Sequence, residues 1–346
     1  MKNMSKIGII TYWGIPNYGT FLQGYALKKV IGKLRPDADV EVVPYVTNRH
    51  YNTYYSKESR AYVGDGVEDV FINAYNDVSN STRITEKELE SKNYDQIVIG
   101  SDIIWCYTID FISDRHMFGI GINAGNKISY AASFGAVRKD AILPADIKEA
   151  INNMSAVSVR DYGSKTILQN NGKKYVDIVL DPTMLWDFEH DPNFQYDNKY
   201  EDYIAIYGDA FSDDYISQVQ EYCAMHGLKT LSAGDGLDWC DISLTGSDIS
   251  PYEWPGIIKN SKGVMTCTFH GLMFALKFNR PIIYYPTDFI ASKISFIVSG
   301  LGLDEPLVEK KRFEERIAYK WDYQTINMKM EHLKKYGLDF LESNII

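Results

Sequence analysis

KIGIITYWGIPNYGTFLQGYALKKVIGKL, residues Lys6–Leu34, decides the fold. Its opening, Lys6–Tyr12, is a short and nearly continuous apolar run, the pattern of a strand covered on both faces in a parallel sheet. The loop Trp13–Thr20 follows, and then an amphipathic helix over Phe21–Leu34 with apolar side chains at Leu22, Tyr25, Ala26, Val30 and Ile31. Asp39–Val46 reads as the next strand. A β-loop-α-β opening predicts a doubly wound α/β sheet.

Outward from that stretch, Gln96–Gly100, Lys127–Ala132, Ala156–Arg160 and Asp177–Leu180 are further short strands. Between them, the polar segment Thr47–Asn93, rich in Tyr, Asn and Ser, reads as an insertion with some helix, expected to act as a mobile flap. The tyrosines of Thr47–Tyr62 could line a sugar groove. Asp187–Asn198 is polar, proline-bearing and without period, as a linker would be. A second series follows: strand Tyr203–Tyr207, helix Asp213–His226, strand Lys229–Ala233, helix Pro251–Asn260, strand Gly263–Cys267, helix Gly271–Phe278 and strand Pro281–Tyr285. The expectation is α/β, with two Rossmann-like domains facing across a cleft: residues 1–187 with the insertion at 47–93, and residues 198–320. The first is read as the acceptor side and the second as the donor side. A last helix within 321–346, near Gln324–Glu342, is expected to cross back.

Composition narrows the function. At 346 residues two domains are the natural prior. A formal net charge of −10 argues against a nucleic-acid partner, because neutralising phosphates requires basic surface. The four cysteines, Cys106, Cys223, Cys240 and Cys267, form no C-x-x-C pair, and no Cys/His cluster has zinc spacing, so no metal is expected. Lys2 and Lys6 before the apolar run Ile7–Trp13 imitate a signal peptide, but the run is short and no small-residue cleavage site follows. A cytoplasmic protein is expected.

The sharpest chemical element is TCTFHGLMFALKFNRP, Thr266–Pro281. An apolar strand stops at a Thr/His/Gly corner and a helix begins at once, with unpaired first-turn amides and the positive end of its dipole. That is an anion site, with Thr268 as cap and Gly271 allowing close approach of a ligand to the backbone. His270 is read as the proton donor at strand-end height. Three other strand ends carry candidates. Asn17-Tyr18-Gly19-Thr20 opens the first helix. Gly100-Ser101-Asp102 offers a carboxylate to deprotonate a sugar hydroxyl, with Trp105 beyond it as a face for a sugar ring. Ser158-Val159-Arg160-Asp161 offers a forked cation for a phosphate or carboxylate.

Taken together, NYGTFLQGYAL (Asn17–Leu27), YDQIVIGSDIIW (Tyr94–Trp105), ISYAASFG (Ile128–Gly135), SVRDYGS (Ser158–Ser164), VLDPTMLW (Val179–Trp186) and TCTFHGLMFALKFNRPII (Thr266–Ile283) resemble the polysaccharide pyruvyl transferase family in content and order. The resemblance implies a fold like that of GT-B glycosyltransferases. It also implies a transferase that takes pyruvyl from phosphoenolpyruvate, as co-substrate with no other cofactor, and closes a ketal on two hydroxyls of a hexose, in exopolysaccharide or capsule biosynthesis. It places His270 and Asp102 as catalytic residues, Arg160, Thr268, Phe269 and Gly271 at the donor, and Asn17, Tyr18, Gly19 and Trp105 at the acceptor. Some members carry Arg where this chain has Thr268, so donor binding would lean more on Arg160 and backbone amides.

A lipid-linked acceptor would bring the chain to the inner membrane face as a peripheral protein. There Lys310, Lys311, Arg312 and Arg316, or Lys329, Lys334 and Lys335, could meet anionic lipid. Two rivals use the same architecture. One is a GT-B nucleotide-sugar glycosyltransferase, with its nucleoside pocket around Ser232–Trp239. The other is a non-catalytic sugar-binding relative.

Overall fold

The computed structural model describes residues 4–197, 199–285, 287–303, 307 and 312–346. Lys2, Asn198, Lys310 and Lys311, which enter the readings above, lie outside them. The chain divides into two compact units. Unit 1 comprises residues 1–64, 75–186 and 331–346, and unit 2 comprises residues 65–74 and 187–330.

Unit 1 is built on a wholly parallel sheet of β1 (Ser5–Ile10), β2 (Ala38–Val42), β3 (Asn93–Ile99), β4 (Asn123–Ala132), β5 (Ala156–Val159) and β6 (Asp177–Ile178). The order is β2-β1-β3-β4-β5-β6. The chain moves one way from β1 to β2 and then the other way to β3, so the topological switch point lies between β1 and β3. Ligands of open α/β sheets bind at the strand carboxyl ends at such a point. Ile7, Ile9, Ile97, Val98, Ile99 and Ile128 are fully buried, as a sheet covered on both faces requires.

The helices of this unit are α1 (Tyr18–Leu34), α2 (Asn48–Tyr55), part of α3 (Val67–Ser79), α4 (Glu86–Ser91), α5 (Ala145–Asn152), α6 (Tyr162–Asn170) and α7 (Pro182–Leu185). The insertion is therefore largely helical, and α3 packs onto the core of unit 1. Tyr75 of α3 sets its ring against Trp13 and Phe21, and Ser79 accepts the Trp13 Nε1–H at 2.9 Å. Among its polar residues the apolar ones fall at helical spacing, which the composition of the segment hid. The start of α3 is counted with unit 2.

Unit 2 carries a second parallel sheet: β7 (Tyr203–Tyr207), β8 (Lys229–Gly234), β9 (Ile242–Thr245), β10 (Gly263–Thr266) and β11 (Ile282–Tyr284), ordered β11-β10-β7-β8-β9. Its switch point lies between β7 and β10. The helices are α8 (Asp213–His226), α9 (Trp254–Asn260), α10 (Phe269–Lys277), α11 (Asp288–Leu301) and α12 (Phe313–Ile317). α9 starts at Trp254 with Pro255 in its first turn, so Pro251 lies in the preceding turn and not in the helix. The last helix, α13 (Tyr323–Asn344), begins in unit 2, and its residues from Glu331 on belong to unit 1. There Phe340 meets Tyr130, and the buried Gln96 of β3 is satisfied by the Asn344 carbonyl at 2.7 Å and the Ile346 amide at 3.0 Å.

No described helix is long and apolar enough to cross a membrane. Three of the basic residues offered above to lipid have contacts within the protein. Arg316 is buried, Lys329 donates to the Leu301 carbonyl at 2.9 Å, and Lys334 pairs with Glu331.

Candidate functional site

In unit 1 the chemistry-bearing residues gather at the carboxyl ends of β1, β3, β4 and β5. Asn17 adopts extended backbone and accepts the Thr20 amide at 3.0 Å, so α1 begins at Tyr18 and not at Phe21. Asn17 is thus a helix cap, and Tyr18 and Gly19 lie buried in the first turn. The turn aims Thr20 at the end of β3, where its hydroxyl donates to Asp102 Oδ2 at 2.8 Å. The backbone of Asp102 is left-handed, at φ 76°, a conformation that only tight surroundings maintain in a non-glycine residue. Its Oδ1 accepts the Ile103 amide at 2.8 Å and Arg160 Nη2 at 3.0 Å.

Arg160 then closes the network. Its Nη1 donates to Asp181 Oδ2 at 2.9 Å, and Asp181 Oδ1 accepts the Thr183 amide at 3.0 Å, capping α7. The arginine is 3% exposed. Burial works against its charge, but Asp102, Asp181 and Asp161 outweigh burial and hold its pKa above the ordinary arginine value. Arg160 and Asp102 are therefore placed as an internal ion pair. A guanidinium whose two terminal nitrogens face carboxylates is not an open clamp for a donor, and a carboxylate accepting from Thr20, Ile103 and Arg160 is poorly placed as a base. Trp105 departs further from its expected role. It is 0% exposed, stacks on Phe118 and donates from Nε1 to the Met117 carbonyl at 2.9 Å, so it is core and not a face for sugar. Asp181, within the Val179–Trp186 motif, is a member of this network that the sequence reading did not single out.

In unit 2 the corner Thr266–Gly271 sits at the carboxyl end of β10, beside the switch point. Thr266 Oγ1 donates to the Tyr207 carbonyl at 2.7 Å and accepts the Thr268 amide at 3.0 Å. Thr268 is the N-cap of α10 and accepts the Gly271 amide at 3.0 Å. Gly271 is glycine for an internal reason. A Cβ there would lie 2.2 Å from Thr266 Oγ1, so the close approach is by this threonine and not by a ligand. Phe269 and His270 are the first two residues of α10, their rings 5.1 Å apart and nearly perpendicular. Their amides precede any carbonyl that the helix could offer them, and they stand at the positive end of its dipole. His270 is 7% exposed.

Two further residues border this corner. Gly208, after β7, has φ 104°, and a Cβ on it would lie 2.4 Å from Cys267 Sγ. Its amide donates to Asp235 Oδ2 at 2.7 Å. Asp235, at the end of β8, has its carboxyl pushed up to about 6. Desolvation by the surrounding protein raises it most, the Gly208 amide opposes this and Asp209 adds to the rise, although the residue is exposed, so solvent screens the effect. Asp235 lies in the Ser232–Trp239 loop weighed above only for a nucleoside. Its neighbour Gly208 carried no sequence signal.

Solved structures with similar folds support the architecture. A putative UDP-N-acetylglucosamine 2-epimerase from Listeria monocytogenes is 10% identical with a TM-score of 0.50, covering 99% of this chain and 91% of that one. An MnaA–UDP co-structure from S. aureus is 12% identical with a TM-score of 0.52, covering 96% and 90%. The glycotransferase of kitacinnamycin is 11% identical with a TM-score of 0.50, covering 99% and 100%. At these identities the likeness is one of fold: α/β with two parallel sheets, each Rossmann-like, as in GT-B proteins. No curated protein matches the chain. The sequence model for polysaccharide pyruvyl transferase matches residues 17–288, from α1 through β11 and including both strand-end clusters, and the chain belongs to the polysaccharide pyruvyl transferase family.

Proposed function

We propose that the chain transfers the pyruvyl group of phosphoenolpyruvate to two hydroxyls of a hexose, in a polysaccharide or its lipid-linked precursor. The observation that carries this reading is the family's F-H-G corner folded as a helix mouth at a switch point, with His270 in the first turn of α10. In this reading the donor phosphate lies against the Phe269 and His270 amides, where the helix dipole favours an anion. Thr268 acts through the backbone by capping the turn. His270 donates a proton to the methylene carbon of phosphoenolpyruvate, which becomes the methyl group. The neighbouring carbon, now oxocarbenium-like, is attacked by one sugar hydroxyl, whose proton returns to His270 and restores the acid. The carbon–oxygen bond to phosphate then breaks, the second hydroxyl closes the ketal, and its proton leaves with inorganic phosphate. Fixed amide dipoles stabilise the phosphate charge as it develops.

The reading is tested by incubating the chain with phosphoenolpyruvate and a panel of synthetic or lipid-linked hexosides, following phosphate release and the ketal methyl signal by proton NMR. Stoichiometric phosphate and ketal support it; no release with any acceptor counts against it. A nucleotide-sugar donor is the second reading, because one fold neighbour was solved with UDP. Stabilisation by UDP- or GDP-sugars and not by phosphoenolpyruvate in a thermal shift would favour that donor.

A further inference from the structure

The geometry points to a divalent-metal site in unit 1, outside every motif above, formed by Glu86, Glu90 and His116. Glu86 and Glu90 stand one turn apart on α4, so both project from one face. A capping box between Thr85 and Glu88 fixes where that helix starts. His116 comes from the 3-10 turn Arg115–Phe118, which precedes β4.

The imidazole is what makes this more than two exposed acids. His116 is 6% exposed. Its Nδ1 lies 2.9 Å from Asp114 Oδ1, which requires the proton on Nδ1 and turns Nε2 towards the two glutamates. A carboxylate–histidine pair of this kind is the usual support behind a metal-bound imidazole. Nε2 lies 3.8 Å from a Glu86 carboxylate oxygen and 3.6 Å from one of Glu90, both beyond hydrogen-bond reach. Two ligands held at about 2.1 Å by a tetrahedral zinc stand roughly 3.4 Å apart. The two Nε2 separations are slightly wider than that edge, and all three ligand atoms lie within 4.8 Å of one another. Gly121 keeps the space beside them clear. A Cβ on it would stand 3.2 Å from both Nε2 and the Glu90 oxygen, and its φ of 79° already selects glycine.

Two carboxylates and one imidazole, with water completing the shell, suit Zn²⁺ or another first-row divalent ion. The site joins α4 to the segment entering β4, so its role is to brace unit 1. A search confined to Cys/His spacing could not find it, because two of its three ligands are glutamates.

The experiment uses the full chain without a histidine tag, stripped with EDTA, and titrated with zinc chloride by calorimetry and with Co²⁺ by visible absorption. One equivalent of zinc per chain, a tetrahedral Co²⁺ spectrum and a zinc-dependent rise in melting temperature are expected. E86Q and E90Q, both at exposed positions where folding is preserved, should each weaken zinc binding by ~10-fold or more, and D114N by ~10–100-fold through the imidazole. No stoichiometric zinc binding, or equal affinity in E86Q, E90Q and the parent chain, would overturn the site and leave an imidazolium–carboxylate cluster in its place.

Discussion

Arg160 Nη2 lies 3.0 Å from Asp102 Oδ1, and through this buried pair β5 is tied to the end of β3. The same guanidinium reaches Asp181 at 2.9 Å at the start of α7. Two carboxylates around one arginine make each group dependent on the others. Removing one partner from a buried pair is severely destabilising, because an uncompensated charge remains. R160M should therefore lower unfolding stability by ~3–5 kcal/mol in urea denaturation. A loss of donor affinity with unchanged stability would instead restore Arg160 as a ligand clamp.

The turn at β10 and α10 depends on glycine in the same way. G271A forces a methyl group against Thr266 Oγ1, which already bonds Tyr207 and Thr268. A destabilisation of ~1–3 kcal/mol is expected, the usual cost of overpacking. T268A, which removes the cap on the Gly271 amide and a hydroxyl contact with Thr266, should cost ~1 kcal/mol. Chemical denaturation of the two variants checks the order; equal effects would mean that the helix start gives way easily.

His270 and Thr268 are separable in activity. H270A should reduce the rate of phosphate release by ~10²-fold or more if the imidazole is the proton donor. T268A should retain much more activity, since it acts through the backbone. Steady-state rates at saturating phosphoenolpyruvate distinguish them, and an H270A rate equal to the parent would reassign the acid.

Asp235 gives a pH dependence of defined sign. Its folded pKa of about 6 lies above the ordinary carboxylate value, so its contribution to stability, made small by solvent screening at this exposed position, is fully present at low pH and declines as pH rises through 6. D235N escapes that decline, and asparagine can still accept the Gly208 amide. The melting temperature of D235N relative to the parent should rise between pH 4 and pH 8. A constant difference across that range would show that the aspartate is not raised.

Much of this was legible in the residues. Lys6–Leu34 announced a βα unit, and the strand Tyr203–Tyr207 and the helix Asp213–His226 fall where their patterns end. Polar boundaries were harder. Asn17 looked like loop, yet its side chain starts the helix early. The insertion read as polar with some helix, because Tyr, Asn and Ser are prominent in it while the buried apolar residues of α3 are Val67, Phe71, Ala74, Tyr75 and Val78. At the strand ends, sequence brought Asp102 and Arg160 into view, but it could not show that Arg160 is held by Asp102 and Asp181. That depends on strands brought together from distant parts of the chain.

The most direct measurement of the central claim is a crystal of the chain soaked with phosphoenolpyruvate. The account predicts phosphate density within hydrogen-bonding reach of the Phe269 and His270 amides, with the His270 ring beside the methylene carbon. Phosphoenolpyruvate bound elsewhere in the chain, with that helix mouth vacant, would contradict it.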